Sequence, residues 1–274
     1  MADTAVDREK KEESKKAARG AEDEVRMTFG EHIEELRSRL FKSIVVLLVA
    51  VIVAMVFYER LVTFITQPHI RAMKMLSAEA KLMPGSYGGP IIAVMKLAFI
   101  IALFVSSPVI GYQLWAFVSA GLYRNERKYV VIFAPISFAL FCLGCVFGYV
   151  VLVPYALYGL AKSMNLPIIS NQYIFSDYLN LVMILTIILG VVFQMPLVMV
   201  FLSKIGLVEP KTYNKWRRAA VIFNVIFAAL VTPADVFTMI IVMGPMLLLY
   251  EIGVICAYLF ARPRKKLPAP PAPA

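Results

Sequence analysis

Apolar runs of membrane-spanning length, separated by short polar stretches, dominate the chain from residue 43 onward. Ile91 to Val118 carries one charge, Lys96, in 28 residues, and Tyr129 to Tyr158 carries none in 30. Each is long enough to cross the roughly 30 Å hydrocarbon layer. Between them lies Trp115 to Lys128, whose polar part holds Arg124, Arg127 and Lys128 against one acid, Glu126. Basic residues in short loops are retained on the cytoplasmic side, so this turn is expected at the inner membrane surface.

Ahead of these runs, Thr28-Phe29-Gly30-Glu31 has the Thr-x-x-Glu form of a capping box, and Phe29, Ile33, Leu36 and Leu40 recur on one helical face. Glu31, Glu34, Glu35, Arg37 and Arg39 occupy the other side, which predicts an amphipathic helix leading into a first span, Ser43 to Tyr58. Glu59 to Pro90 reads as an outer loop with a surface-lying stretch at Leu61 to Leu76. The third run is expected to end near Pro154, followed by a second outer loop to Phe175. A fourth span, Tyr178 to Leu202, contains Gly190, Gln194 and Pro196.

The last two runs are shorter. Ala219 to Val231 reaches only about 20 Å at 1.5 Å per residue, and Val236 to Tyr250 is interrupted by Glu251. Only Thr232-Pro233-Ala234-Asp235 separates them, which predicts a short fifth and sixth helical hairpin. The expected fold is therefore an all-α integral membrane protein with six transmembrane helices. Residues 1–26 are expected to be a disordered cytoplasmic tail, 27–260 the six-span membrane domain, and 261–274 a cytoplasmic Pro/Ala-rich tail.

Composition agrees with this pattern and removes several function classes. Hydrophobic residues make up 60% of the 274 and mean hydropathy is +0.75, whereas soluble domains are about 45 to 50% apolar. A net charge of +10 need not mean nucleic acid, because the basic residues flank the spans. Of 28 Lys and Arg, 22 fall in the two tails and two inner loops, five in the outer segments and one, Lys96, inside a span. Both termini are expected to be cytoplasmic. Cys142, Cys145 and Cys256 lie in apolar runs without the further ligands a metal site needs. Both histidines, His32 and His69, lie outside the spans, and no Gly-rich phosphate loop is present, so neither an intramembrane enzyme nor an ATPase is indicated and no cofactor is expected. A small-solute secondary transporter is the alternative, but the repeated halves with matching broken helices that mark many carriers are not visible.

Several motifs, in order along the chain, carry a family resemblance. Glu31-His-Ile-Glu-Glu35-Leu-Arg37-Ser-Arg39 comes first, then Pro108 through Tyr112-Gln113-x-Trp115-x-Phe117 and Gly121-Leu-Tyr-x-x-Glu126-Arg127. Phe147-x-Tyr149 with Pro154, Thr232-Pro-x-Asp235 and Tyr250-Glu251-Ile-Gly253 follow. Over about Met27 to Phe260 the chain resembles TatC, the receptor subunit of the twin-arginine (Sec-independent) protein translocase. It departs from the common pattern at Ala120, where proline is usual, and at Gln194, where many relatives carry glutamate.

The resemblance implies a non-enzymatic receptor and scaffold in the bacterial inner membrane, which binds paired-arginine signal peptides of folded cargo and recruits single-span TatA/TatB-type subunits. It further implies self-association in a receptor complex and export driven by the proton-motive force. Glu35, Arg37, Phe117, Glu126 and Arg127 are the implied signal-peptide residues. Two adjacent guanidiniums call for carboxylates that accept forked hydrogen bonds. Glu126 also reads as a first-turn carboxylate favoured by a helix dipole, and Arg37 as a partner of Glu34 or of a carboxylate across the site. Gln194, Thr232, Asp235 and Glu251 form the implied partner-subunit and intramembrane polar set. Of these, Gln194 needs protein or water partners in hydrocarbon. Asp235 suits a helix N-cap, and Glu251 returns to the depth of Arg217 and Arg218, where an ion pair is expected.

Overall fold

Runs of apolar residues become helices, even across Pro108, Pro135 and Pro245, because hydrocarbon offers backbone groups no partner outside the segment. The computed structural model describes residues 29–79, 81–121, 128–163, 173–232 and 236–260. In order they form α1 (Phe29–Val56), α2 (Tyr58–Ile65), α3 (Gln67–Met75), strand β1 (Leu82–Met83), α4 (Gly89–Ala120) and α5 (Lys128–Phe147). A π turn, Gly148–Leu152, then leads into α6 (Val153–Ser163), followed by strand β2 (Tyr173–Ile174), α7 (Phe175–Val192), α8 (Met195–Lys204), α9 (Pro210–Val231) and α10 (Val236–Phe260). Among the described residues, five stretches are long and apolar enough to cross a membrane: Gly30–Val56, Gly89–Ala120, Val131–Lys162, Phe175–Lys204 and Val236–Phe260. The remaining long helix, α9, holds the fifth apolar run. Thr28, the expected cap, the two tails, residues 122–127 and Pro233 to Asp235 lie outside the described residues.

The described residues divide into two units. One comprises residues up to Ala50 and Val105–Phe138. There α1 runs without a break from its amphipathic start into the first span, and Ile44, Val45, Leu48 and Val49 are exposed, as a lipid-facing helix requires. Trp115 and Phe133 are both buried and stack with ring centroids 5.3 Å apart.

The second unit comprises Val51–Phe104 and the chain from Ala139 onward. Its core joins Met73, Leu97, Leu152, Leu179, Val182, Leu185, Leu189, Val242 and Met246, all buried. Gly144 and Gly190 let α5 and α7 meet backbone to backbone: a Cβ on Gly144 would stand 2.7 Å from the Leu189 carbonyl oxygen and 2.9 Å from the Gly190 Cα. Small residues at such crossings replace the hydrophobic drive that lipid does not supply.

Three expectations need correction. The third run does not end near Pro154, because the helix continues to Ser163. Proline lacks an N–H and its ring crowds the preceding turn, but the π turn widens that turn, with the Val153 N–H bonded to the Gly148 carbonyl five residues back. The stretch Leu61 to Leu76 is helical, as α2 and α3, but it does not merely lie on a surface. Its His69, Ala72 and Met73 are buried, and α3 packs on α6. The parallel pairing Leu82↔Tyr173 and Met83↔Ile174 further ties its loop to the chain entering α7. Finally, α10 passes through Glu251 to Phe260, so its 25 residues reach about 37 Å. Shortness is confined to the apolar part of α9, whose first turns carry Lys211, Lys215, Arg217 and Arg218.

Candidate functional site

The polar start of α1 brings side chains of the first unit together with the end of α4. Glu35 and Arg39 stand one turn apart, acid first, the favourable order for a helical pair. The Arg39 Nε donates to Glu35 Oε1 at 2.7 Å, and Nη2 of the same guanidinium also reaches that oxygen. The Arg39 Nη1 donates to Gln113 Oε1 of α4 at 3.0 Å. One guanidinium thus bridges an α1 carboxylate and an α4 amide, leaving Glu35 Oε2 outside the pair.

Beside this pair, the ring of Phe117 stacks on His32 with centroids 4.3 Å apart and planes 17° from parallel. Gly121, at the end of α4, adjoins the His32 ring: a Cβ there would lie 3.5 Å from Cε1. Of the five expected signal-peptide residues, the structure places Glu35 and Phe117 on these two facing segments. Arg37 is exposed, and among the described residues no ion pair joins it to Glu34 or Glu35. Glu126 and Arg127 lie outside the described residues. Sequence reasoning missed Gln113 and the bridging role of Arg39. The spacing of 35 and 39 was the available signal for the pair; Gln113 stood in the Tyr112-Gln113-x-Trp115 motif, but nothing in the sequence tied it to a partner 74 positions away.

The second constellation belongs to the second unit. Gln194 sits at the break between α7 and α8, half-buried, where its backbone N–H donates to the Val191 carbonyl at 3.0 Å and its own carbonyl accepts from Val198 at 3.0 Å. Pro196 in the first turn of α8 accounts for the break, because it has no N–H to continue the ladder of α7. Thr232 is buried at the end of α9 and its hydroxyl donates to the Ala228 carbonyl at 2.9 Å, closing the last turn. Asp235 lies outside the described residues. Glu251 does meet the expected partner: Arg217 Nη2 lies 2.6 Å from its Oε2.

That pair belongs to a lattice across α8, α9 and α10. Tyr250 donates its hydroxyl to the Tyr213 carbonyl at 2.7 Å, Tyr213 donates to the Met199 carbonyl at 3.1 Å, and Asn214 Nδ2 donates to the Tyr258 hydroxyl at 2.9 Å. Asn224, inside the fifth apolar run, is fully buried with no partner for its Nδ2 among the described residues. It was overlooked as a polar member of the hairpin, although a lone Asn in such a run is itself a signal.

The cysteines are free thiols, and among the described residues no group of three or more His, Cys, Asp or Glu is placed to hold a metal ion. Long apolar helices with ionised and amide groups gathered at helix ends and breaks define a polytopic helical membrane protein.

Comparison with known proteins makes the class particular. The family model described as Sec-independent protein translocase protein (TatC) matches residues 31–245. The chain is 36% identical over 234 residues to TatCy of Bacillus subtilis, covering 84% of this chain and 88% of that protein. It is 33% identical over 223 residues to TatC of Escherichia coli, covering 81% and 85%. Its fold superposes on the crystal structure of the twin arginine translocase receptor TatC with a TM-score of 0.73 at 29% identity, covering 84% of this chain and all of that one. The chain belongs to the TatC family: it is a component of the Sec-independent twin-arginine translocase and a multi-pass bacterial membrane protein.

Proposed function

We propose that the protein is the non-enzymatic receptor of its translocase. It binds paired-arginine signal peptides at the inner surface through Glu35, Phe117, Glu126, Arg37 and Arg127, and it recruits single-span TatA/TatB-type subunits through Gln194, Thr232, Asp235 and Glu251. Both termini then face the cytoplasm, following the bias of 22 basic residues to that side. The proton-motive force supplies the energy, and the receptor self-associates.

The observation that carries this reading is the Glu35–Arg39–Gln113 bridge beside the Phe117–His32 stack. The site already satisfies one guanidinium with a carboxylate and an amide, next to an aromatic surface. That is the chemistry an incoming arginine pair needs, with Glu126 as the second carboxylate. Arg39 fixes the orientation of Glu35, and among the described residues Oε2 has no ion-pair partner.

Photo-crosslinkers at positions 117 and 126, offered a signal peptide with its arginine pair and one with two glutamines instead, test the assignment. Labelling is expected only with the arginine pair. Equal labelling by both peptides rejects it.

A further inference from the structure

Lys96 is the one basic residue inside the second apolar run. It sits seven residues into α4, about 10 Å along the helix from Gly89. An ammonium at that depth is costly unless it snorkels or finds a partner, and it marks a site by default. Its partner here is neutral: Nζ donates to Asn180 Oδ1 of α7 at 3.2 Å. Among the described residues Lys96 forms no ion pair with a carboxylate. The pair is exposed, and among the described residues no carboxylate compensates its positive charge.

Directly along the same helical faces lies an apolar cavity. Ile100 and Phe104 follow Lys96 by four and eight positions on α4, and Met183 and Ile187 follow Asn180 by three and seven on α7; all four line it. The cavity measures about 150 Å³, and Phe64 of α2 and Phe141 of α5 are among its other walls. Apolar cavities of this size stay dry and take hydrocarbon-like guests.

We infer that Lys96, Asn180 and this cavity form a binding site for an anionic phospholipid of the leaflet on the side of α2 and α3. The phosphate accepts hydrogen bonds from the Lys96 ammonium and the Asn180 amide, and one acyl chain enters the cavity along Ile100, Phe104, Met183 and Ile187. Asn180 suits the role because its amide offers an acceptor to hold the ammonium and a donor for the phosphate. A carboxylate in its place would neutralise Lys96 and repel the lipid. The site is separate from the residues assigned to signal and partner binding, so it stands or falls independently of those roles.

The full-length protein, purified in mild detergent, is equilibrated with phosphatidylglycerol, with phosphatidylcholine, or with inorganic phosphate alone. Retained lipid is counted by native mass spectrometry, and the shift in melting temperature is recorded. Phosphatidylglycerol is expected to be retained about fivefold better than phosphatidylcholine, the preference one interfacial lysine supplies. Lys96→Gln removes that preference, Lys96→Arg preserves it, and Ile100→Trp, which fills the cavity, lowers retention of both lipids. Phosphate alone leaves the melting temperature unchanged. Variants are compared only where gel filtration gives the wild-type profile, and the Gln and Arg variants decide the matter if the Trp variant does not. Equal retention of the two lipids by the wild type, or an intact preference in Lys96→Gln, overturns the inference. So does a cavity crosslinker that captures a protein segment in place of lipid.

Discussion

Arg217 and Glu251 stand 34 positions apart in sequence and 2.6 Å apart in space, joining α9 to α10. Both side chains are about half exposed, at 52% and 43%, so solvent and salt screen the pair. A double-mutant cycle on thermal unfolding in detergent, with Arg217→Ala and Glu251→Ala, is expected to give a coupling of about 0.5 kcal/mol. Raising ionic strength should shrink it. A coupling beyond about 2 kcal/mol would mean the pair is desolvated in the folded protein, contrary to its exposure.

At the proposed signal site, Glu126→Ala is expected to leave the protein folded in the membrane while binding of paired-arginine peptides weakens by about 2 kcal/mol or more. Glu35→Ala weakens it less, because Glu31 and Glu34 stand on the same helix. Arg39→Ala should resemble Glu35→Ala, since the carboxylate then loses the group that orients it. Peptide pull-down on detergent-solubilised variants measures all three. If Arg39→Ala binds more tightly than wild type, Arg39 competes with the signal instead of orienting Glu35.

Gln194 lies half-buried where α7 yields to α8. Gln194→Glu is expected to be tolerated. Gln194→Leu, which cannot hydrogen-bond, is expected to impair co-purification of the single-span subunits while peptide binding persists. Normal co-purification in Gln194→Leu would reduce the residue to packing.

His69 gives a pH dependence whose sign is fixed. It is 1% exposed on α3, edge-on to the rings of Tyr173 and Tyr178 at 5.3 Å each, and burial lowers its pKa from the ordinary 6.5. The folded protein therefore favours neutral imidazole. That contribution to stability is complete above about pH 6.5 and is lost as pH falls below that value toward the lowered folded pKa. Corrected for the base-catalysed fall in intrinsic exchange, protection of the amides in Gln67–Met75 should decrease between pH 7.5 and pH 5, and His69→Phe should flatten the change. Protection factors in that helix independent of pH in the wild type would contradict it.

Periodicity and run length determined most of the fold, because hydrocarbon thickness sets how long an apolar helix must be. The continuous α1 and the span from Tyr178 follow from this rule alone. So does an ion pair between Glu251 and either Arg217 or Arg218, since two helices joined by four residues return to the same depth. The motifs of α1, α4 and α10 also pointed to the family before any geometry was available.

Tertiary structure decided the rest. Pro154 reads as an end to a helix, yet the π turn before it absorbs the missing N–H and the continuing helix, α6, packs on α3. Glu251 reads as an interruption, yet its charge is met by Arg217 of the neighbouring helix and α10 continues to Phe260. Arg39 with Gln113, His32 with Phe117 and Lys96 with Asn180 are contacts between residues more than 70 positions apart. Each side chain alone is compatible with an ordinary helix surface. Only the packing of one helix against another selects which polar groups meet, because the cost of leaving them unpaired in the membrane is incurred after the helices have formed.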